Sequence, residues 1–328
     1  MRFLIVSGFV LALLTVPVRP QPPAKEQEVP TTIKVDINVV NVLCSVRDRR
    51  GGLVGNLTQD DFTVYDNGKA QTVKYFSRET DLPLTIGLLV DVSISQANLI
   101  EEERRAGLQF LTRVLRKKDM AFLISFGNEA ELLQDFTNSA SLLRAGLEKL
   151  RVSAPVGGLH PGPVPTSSRP RGTVLYDAVY LASNERLQKE VGRKAMVLIT
   201  DGVDAGSRMR LEQAVEAAQK ADAIVYSIYY VDPGFYYGRG GYGLGVSDSA
   251  LKRMSEETGG RLFRVGRKLP LAEIFDEIQQ EMRSQYSIGY VPAEPAQNGE
   301  FRRLEIRTKD RNLKVQSRRG YYAVTSSD

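Results

Sequence analysis

The chain has 328 residues, with 44 Lys and Arg against 39 Asp and Glu, one His and one Cys. One cysteine excludes an internal disulfide framework and a zinc site of paired cysteines, and one histidine argues against a Ser-His-Asp triad. The net charge of +5 comes mainly from residues 302–319, where apolar and basic residues alternate. We interpret this segment as a strand with a solvated basic face, and we expect no nucleic-acid partner.

The first 24 residues have the features of a secretory signal peptide. Arg2 precedes an apolar run over residues 3–18, and a segment rich in Pro and Gln follows. This run is too short and too interrupted to predict a membrane span, and no later segment predicts one. We therefore predict a signal peptide over residues 1–24, a linker over 25–32 and a periplasmic or extracellular location. An uncleaved N-terminal anchor is the alternative.

Residues 33–81 are predicted to form a small β segment. Apolar residues alternate from Ile33 and change parity near Val39 and Val40, which predicts a β-bulge there. Cys44 falls on the apolar parity, so we predict a buried, unreactive thiol. Further on, Phe62–Tyr65 and Gln71–Phe76 flank an Asn-Gly pair, which predicts a hairpin.

The C-terminal residues 285–328 return to the β pattern. Apolar residues alternate at Tyr286, Ile288 and Tyr290, and two further alternating runs follow. We expect this segment to pack with residues 33–81 as one accessory β unit.

Between these segments, residues 82–284 have the pattern of an α/β domain. Four continuous apolar runs predict buried parallel strands: Leu84–Val90, Met120–Phe126, Ala195–Ile199 and Ala223–Val231. Helical patterns separate the runs, and one more follows the last run. The prediction is a doubly wound, mostly parallel sheet flanked by helices.

Two of the predicted strands lead into an aspartate. The first run leads into Asp91, with Ser93 and Ser95 at alternate positions, and the third leads into Thr200 and Asp201. Thr173 lies in a loop that should reach the same edge, since ligands bind at the carboxyl ends of parallel strands. These side chains are hard oxygen donors that suit Mg²⁺, Mn²⁺ or Ca²⁺. With two carboxylates at most, a bound cation keeps affinity for a carboxylate from a partner.

At these residues the sequence resembles the von Willebrand factor A (VWA) domain and its metal-ion-dependent adhesion site (MIDAS). The family pattern of Asp-x-Ser-x-Ser, a later Thr and a later Asp matches Asp91, Ser93, Ser95, Thr173 and Asp201. The resemblance covers roughly residues 82–284 and implies a Rossmann-like fold with a divalent cation on these five ligands. Many members have Gly before the second Ser, where this chain has Ile94.

The flanking segments resemble an exported bacterial subgroup known as VWFA-related Acidobacteria domain proteins. The features that match are the Asp66-Asn67-Gly68 hairpin, the segment Thr173–Ala178 and the closing Arg319–Tyr322. The resemblance implies a fold and an exported location, and it does not imply a defined biochemical activity.

Three functions follow from this pattern. The leading hypothesis is an exported, non-enzymatic, cation-dependent adhesion or protein-binding module, with no catalytic residue and no organic cofactor. The first alternative is a Mg²⁺-dependent phosphatase or hydrolase, but position 93 is Ser where phosphatases with Asp-x-Asp place a second carboxylate. The second alternative is a structural scaffold with an unused site.

Two long loops should border the predicted metal edge. They span residues 152–172 and 232–246, and the second carries Phe235, Tyr236, Tyr237 and Tyr242. Exposed tyrosines on loops are typical of contact surfaces. We therefore keep two interpretations of these loops: a binding interface, or long loops that are merely variable. The literal G-x-G-x-x-G of Gly238–Gly243 lies in the second loop, beyond its strand, and predicts no nucleotide site.

Overall fold

The computed structural model describes residues 39–78, 82–153, 172–237 and 246–323. The predicted signal peptide, the linker, residues 33–38 before the predicted bulge, and most of both long loops lie outside the described residues. Among the described helices, none is long and apolar enough to cross a membrane.

The described residues form strands and helices in a regular chain order. The strands are β1 (Val40–Arg47), β2 (Phe62–Asp66), β3 (Lys69–Gln71), β4 (Val73–Arg78), β5 (Leu84–Asp91), β6 (Met120–Phe126), β7 (Ala130–Thr137), β8 (Arg193–Thr200), β9 (Ala223–Tyr229), β10 (Leu262–Arg264), β11 (Tyr286–Tyr290), β12 (Phe301–Thr308), β13 (Lys314–Ser317) and β14 (Gly320–Tyr322). The helices are α1 (Ile100–Val114), α2 (Ala140–Leu147), α3 (Leu175–Leu181), α4 (Leu211–Lys220), α5 (Pro233–Tyr237), α6 (Ser249–Thr258) and α7 (Leu271–Arg283).

A six-stranded sheet forms the centre of the α/β region, in the order β10-β9-β8-β5-β6-β7. All neighbouring pairs are parallel except β6 with β7. Helices α1, α2 and α7 pack on one face, and α3, α4 and α6 pack on the other. The doubly wound α/β fold that the VWA resemblance implies is therefore confirmed. The chain runs from β5 toward one edge and from β8 toward the other, so the switch point lies between β5 and β8.

Four described elements of this region are absent from the sequence prediction: β7, α5, β10 and α6. Strand β7 is an edge strand with only one buried residue, and β10 has only three residues, so neither forms a continuous apolar run. Helix α6 buries a narrow stripe that includes Leu251 and Met254. The prediction relied on long apolar runs and on helical patterns that repeat several large apolar residues, and these four elements are too short or too polar to provide either.

Strands from both ends of the chain make two further sheets. Their orders are β13-β1-β11-β4 and β14-β12-β2-β3, so each sheet combines strands from before and after the α/β region. The core between them includes Val42, Val64, Ile288 and Ile306. Cys44 lies in the same core and is 1% exposed, and this burial raises the pKa of its thiol to about 12. The thiol is therefore protonated at neutral pH.

The turn at Asn67 and Gly68 closes a hairpin. Their φ angles are 48° and 81°, the left-handed region that a two-residue turn of this kind requires. After the turn the chain forms two successive strands. Strand β3 pairs with β2, whereas β4 pairs with β11 of the other sheet. The sequence predicted one strand there, because alternation continues across the division and only the pairing partner changes.

Candidate metal centre at the sheet edge

Asp91 and Asp201 lie side by side at the carboxyl ends of neighbouring parallel strands. Asp91 is the last residue of β5, and Asp201 directly follows β8, with Val90 in register with Ile199. Both aspartates are fully buried. The two carboxylates therefore occupy the switch point of the sheet, where an open α/β fold places its ligand site.

The Asp91 carboxylate is held from two directions. Its Oδ1 accepts the backbone N–H of Ser93 at 2.8 Å, and its Oδ2 accepts the hydroxyl of Thr200 at 2.6 Å. The Ser93 hydroxyl lies 3.0 Å from the Ser95 hydroxyl. No role for Thr200 is predicted from the sequence. Its polar side chain directly after the apolar run Ala195–Ile199 is the available signal.

The Asp201 carboxylate accepts hydrogen bonds from the other side of the site. Its Oδ2 accepts the hydroxyl of Ser95 at 2.5 Å and the phenol of Tyr236 at 2.7 Å, and its Oδ1 accepts the backbone N–H of Val203 at 3.1 Å. A continuous hydrogen-bonded chain thus runs from Ser93 through Ser95 to Asp201. Tyr236 had been assigned only to a possible contact loop, and the structure places its hydroxyl on a candidate ligand.

Thr173 is held at the same edge by its backbone. Its carbonyl accepts the N–H groups of Ala205 and Gly206, and the next residue, Val174, donates to the carbonyl of Gly127 just beyond β6. Its side chain is 8% exposed. The Thr173 segment is therefore anchored to the ends of β6 and β8, next to the loop that carries the aspartates.

Two further aspartates fasten the segments around the site. The Asp177 carboxylate accepts backbone N–H groups of Arg208 and Met209, and the Asp204 carboxylate accepts the backbone N–H of Tyr176 and the Ser207 hydroxyl. Partial burial raises the pKa of Asp204. These bonds tie the start of α3 to the loop after β8, which fixes the Thr173 segment relative to Asp201.

The electrostatics of the edge suit a cation. Burial first, and then the neighbouring charge of Asp201, raise the pKa of Asp91 to about 7. Two buried carboxylates without a basic partner destabilise each other's charge, and a divalent cation between them relieves this. Among the described residues, no cluster of three His, Cys, Asp or Glu side chains could hold a metal. A cation here therefore needs the hydroxyls as well, and the hard oxygen donors of Asp91, Ser93, Ser95 and Asp201 fit one. Thr173, the fifth predicted ligand, is held beside them through its backbone.

Glu103 adds a third carboxyl group near the two aspartates. It lies on the buried face of α1 and is 0% exposed, and neither carboxyl oxygen has a hydrogen-bond partner in the described part of the chain. Burial, followed by the charges of Asp91, Glu102 and Asp201, raises its pKa well above the ordinary value. Burial without a partner therefore favours the protonated, neutral form of Glu103. Three consecutive glutamates at a helix start gave no sequence signal for this burial.

Two side-chain hydrogen bonds hold the segment after β9 against the start of α1. The Tyr230 hydroxyl donates to Glu102 at 2.5 Å, and the Asn98 side chain donates to Asp232 at 2.6 Å. These contacts bring Tyr236 within reach of Asp201. Ile94, by contrast, is 52% exposed.

No protein-family model matches the chain, and no curated protein matches it significantly. BatB from Bacteroides thetaiotaomicron is similar in structure, with 18% identity over 61% of this chain and 97% of BatB, at a TM-score of 0.46. The mussel byssus protein PTMP1, solved with a zinc-occupied MIDAS motif, has 13% identity over 67% of this chain and 50% of PTMP1, at 0.47. The vWF domain of the pilus tip protein Mfa5 from Porphyromonas gingivalis has 13% identity over 61% of this chain and 95% of that domain, at 0.43. Each of these proteins shares fewer than one residue in five with this chain. The candidate site of this chain therefore rests on the residues of this chain alone.

Proposed function

We propose that this chain is an exported, non-enzymatic module that binds a partner protein through a divalent cation. Mg²⁺ is the expected ion, with Mn²⁺ or Ca²⁺ as alternatives, held directly or through water by Asp91, Ser93, Ser95, Thr173 and Asp201. The observation that carries the proposal is the pair of buried carboxylates on adjacent strand ends, linked through the backbone N–H of Ser93 and the hydroxyls of Ser93 and Ser95. Hydroxyl ligands are neutral, so at most two negative charges face the ion.

The expected partner presents an Asp or Glu side chain. A divalent cation surrounded by two carboxylates and neutral hydroxyls remains a strong Lewis acid toward one more anionic oxygen. Cations of this hardness prefer carboxylate over softer ligands. A partner carboxylate therefore completes the coordination, and adhesion through the metal follows from the charge balance.

The absence of a second carboxylate at position 93 supports a binding role over phosphoryl transfer. Ser93 donates its backbone N–H to Asp91 and lies beside the Ser95 hydroxyl. A phosphatase with Asp at the first position uses a second acid two residues later to protonate the leaving group. Export rests on the sequence of residues 1–24, and fractionation of a host cell that expresses the full chain tests it.

The cation site is tested by titrating Mg²⁺ or Mn²⁺ while following the melting temperature. We expect a metal-dependent rise for the wild type and none for Asp91→Ala. Asp60→Ala is the matched control, because Asp60 is exposed and lies on the accessory β unit. Identical responses of wild type and Asp91→Ala would show that the edge binds no cation.

Partner binding is tested by capture from the envelope fraction of the source organism, with and without EDTA. The proposal expects partners that EDTA and Asp201→Ala both release. Capture that neither treatment changes would favour the scaffold function. Turnover of a generic phosphoester with Mg²⁺ that Asp91→Asn abolishes would instead establish the hydrolase.

A further inference from the structure

A large groove with a basic lining lies away from the candidate metal centre. It has a volume of about 1360 Å³ and is lined by parts of the turn after β1, the ends of α6 and α7, strand β10, strand β12 and strand β13. Ten Lys or Arg residues and four Asp or Glu residues line it. We call it the basic groove. Its volume exceeds that of a typical small-molecule pocket, so it has room for a length of polymer chain.

Three of its basic side chains have no acidic partner in the described part of the chain. Seven of the ten form ion pairs, for example Arg261 with Glu277 and Arg318 with Asp222. Arg49, Arg50 and Lys314 form none, and all three are exposed.

The backbone around two of these side chains is held in place. The Asp48 carboxylate accepts the backbone N–H groups of Arg50 and Gly52, which fixes the turn that carries Arg49 and Arg50. Uncompensated positive charge on a fixed turn favours an anionic ligand.

Two edge strands line the same groove, and the residue after β13, Arg318, is bridged to Thr258 at the end of α6. Strand β10 ends the six-stranded sheet and strand β13 ends one four-stranded sheet, so each pairs with a single neighbouring strand. An edge strand presents backbone N–H and C=O groups that an added strand can use. Leu262 and Val315, both partly buried, supply apolar surface beside these edges.

From the charge and the edge strands together, we propose that the basic groove binds an extended acidic segment of a partner protein. The segment lies along a sheet edge as an added strand, with its carboxylates on Arg49, Arg50 and Lys314 and its apolar side chains on Leu262 and Val315. This site is independent of the cation at the end of β5, so the proposal does not depend on the proposed metal function.

The test uses a fluorescein-labelled peptide of alternating Glu and Val, with the full chain and EDTA present, followed by fluorescence anisotropy. At about 50 mM NaCl we expect binding that weakens as salt rises toward about 200 mM, because screening acts on exposed charges. The variant Arg49→Ala/Arg50→Ala/Lys314→Ala should bind about tenfold more weakly, since three exposed charge contacts are lost. The matched control is Lys74→Ala/Arg303→Ala/Lys309→Ala, which removes three exposed basic residues outside the groove.

A second peptide with Pro in place of Val tests strand addition, because proline cannot donate to a ladder. It should bind more weakly than the first peptide. The proposal fails if no binding occurs at low salt, or if the two triple variants lose affinity equally. It also fails if the proline peptide, or an oligouronate of equal charge, binds as tightly as the first peptide, because the groove would then bind its ligand through charge alone.

Discussion

The Tyr236 hydroxyl donates a hydrogen bond of 2.7 Å to Asp201 Oδ2, the same oxygen that accepts the Ser95 hydroxyl at 2.5 Å. Burial, and then this bond to Asp201, raise the pKa of the Tyr236 phenol, so it remains a donor at neutral pH. A carboxylate oxygen with two hydroxyl donors has no free lone pair directed at a cation. Tyr236 therefore competes with a cation for this oxygen of Asp201.

Replacing this tyrosine should strengthen cation binding. Removal of one competing hydrogen bond of about 1 kcal/mol predicts about fivefold tighter Mn²⁺ binding for Tyr236→Phe, measured by titration of the melting temperature. Tyr75→Phe is the control, because Tyr75 is 60% exposed on β4. Weaker binding by Tyr236→Phe would mean that the phenol supports the bound cation rather than competing with it.

Neutralising Asp91 should stabilise the protein when no cation is present. Its pKa of about 7, against an ordinary 3.8, reflects a buried charge that folding disfavours. Asp91→Asn keeps the shape and the acceptor for Ser93, so the free energy of unfolding in EDTA at pH 8 should rise, by at most about 4 kcal/mol. Urea denaturation in EDTA measures this change.

The same variant should gain nothing from Mg²⁺. Asp60→Asn, on an exposed carboxylate, serves as the control and should leave both measurements unchanged. A lower stability of Asp91→Asn in EDTA would show that the Asp91 charge is compensated in the folded protein.

The metal-free protein should lose stability as pH rises. Between pH 4 and 7 the folded state holds a proton on Asp91 that the unfolded state has released, because the folded pKa is the higher one. The raised pKa of Glu103 acts in the same direction. The free energy of unfolding in EDTA should therefore fall over this window, as urea denaturation at several pH values would show.

With saturating Mg²⁺ the slope should become shallower, because the cation binds the ionised carboxylates and its affinity rises with pH. Asp91→Asn in EDTA should also show a shallower slope. A wild-type stability in EDTA that increases from pH 4 to 7 would contradict the assignment.

A buried charged cluster joins the two ends of the chain in the accessory β unit. The Asp66 carboxylate, at the end of β2, accepts Arg302 at 2.8 Å and the hydroxyls of Tyr290 and Tyr321 at 2.9 Å each. Asp66 is 0% exposed and Arg302 is 2% exposed. Asp66→Ala leaves the guanidinium buried without its partner, which should lower the free energy of unfolding by about 3–5 kcal/mol.

Tyr290→Phe removes one hydrogen bond of the same cluster and should cost about 1 kcal/mol. Chemical denaturation of both variants gives the comparison. Equal, small losses would mean that the charge pair adds little and that the sheets are held by their apolar core alone.

Features that depend on residues close together in the chain could be predicted from the sequence. Continuous apolar runs predicted the four central parallel strands, because a strand buried on both faces must be apolar throughout. The hairpin at Asn67 and Gly68 was predictable for a similar reason, since few residues adopt its positive φ angles. The placement of Asp91 and Asp201 at one edge followed from strand direction alone.

The side chains that complete that edge are set by contacts between residues far apart in the chain. Tyr236 contacts Asp201 across 35 residues, and Thr200 contacts Asp91 across 109. Such contacts depend on the paths of loops and on the register of β5 with β8, neither of which leaves a periodic pattern. Glu103 also has the local sequence of an exposed helix start. It is buried because α1 packs its first turn against the carboxyl ends of the strands.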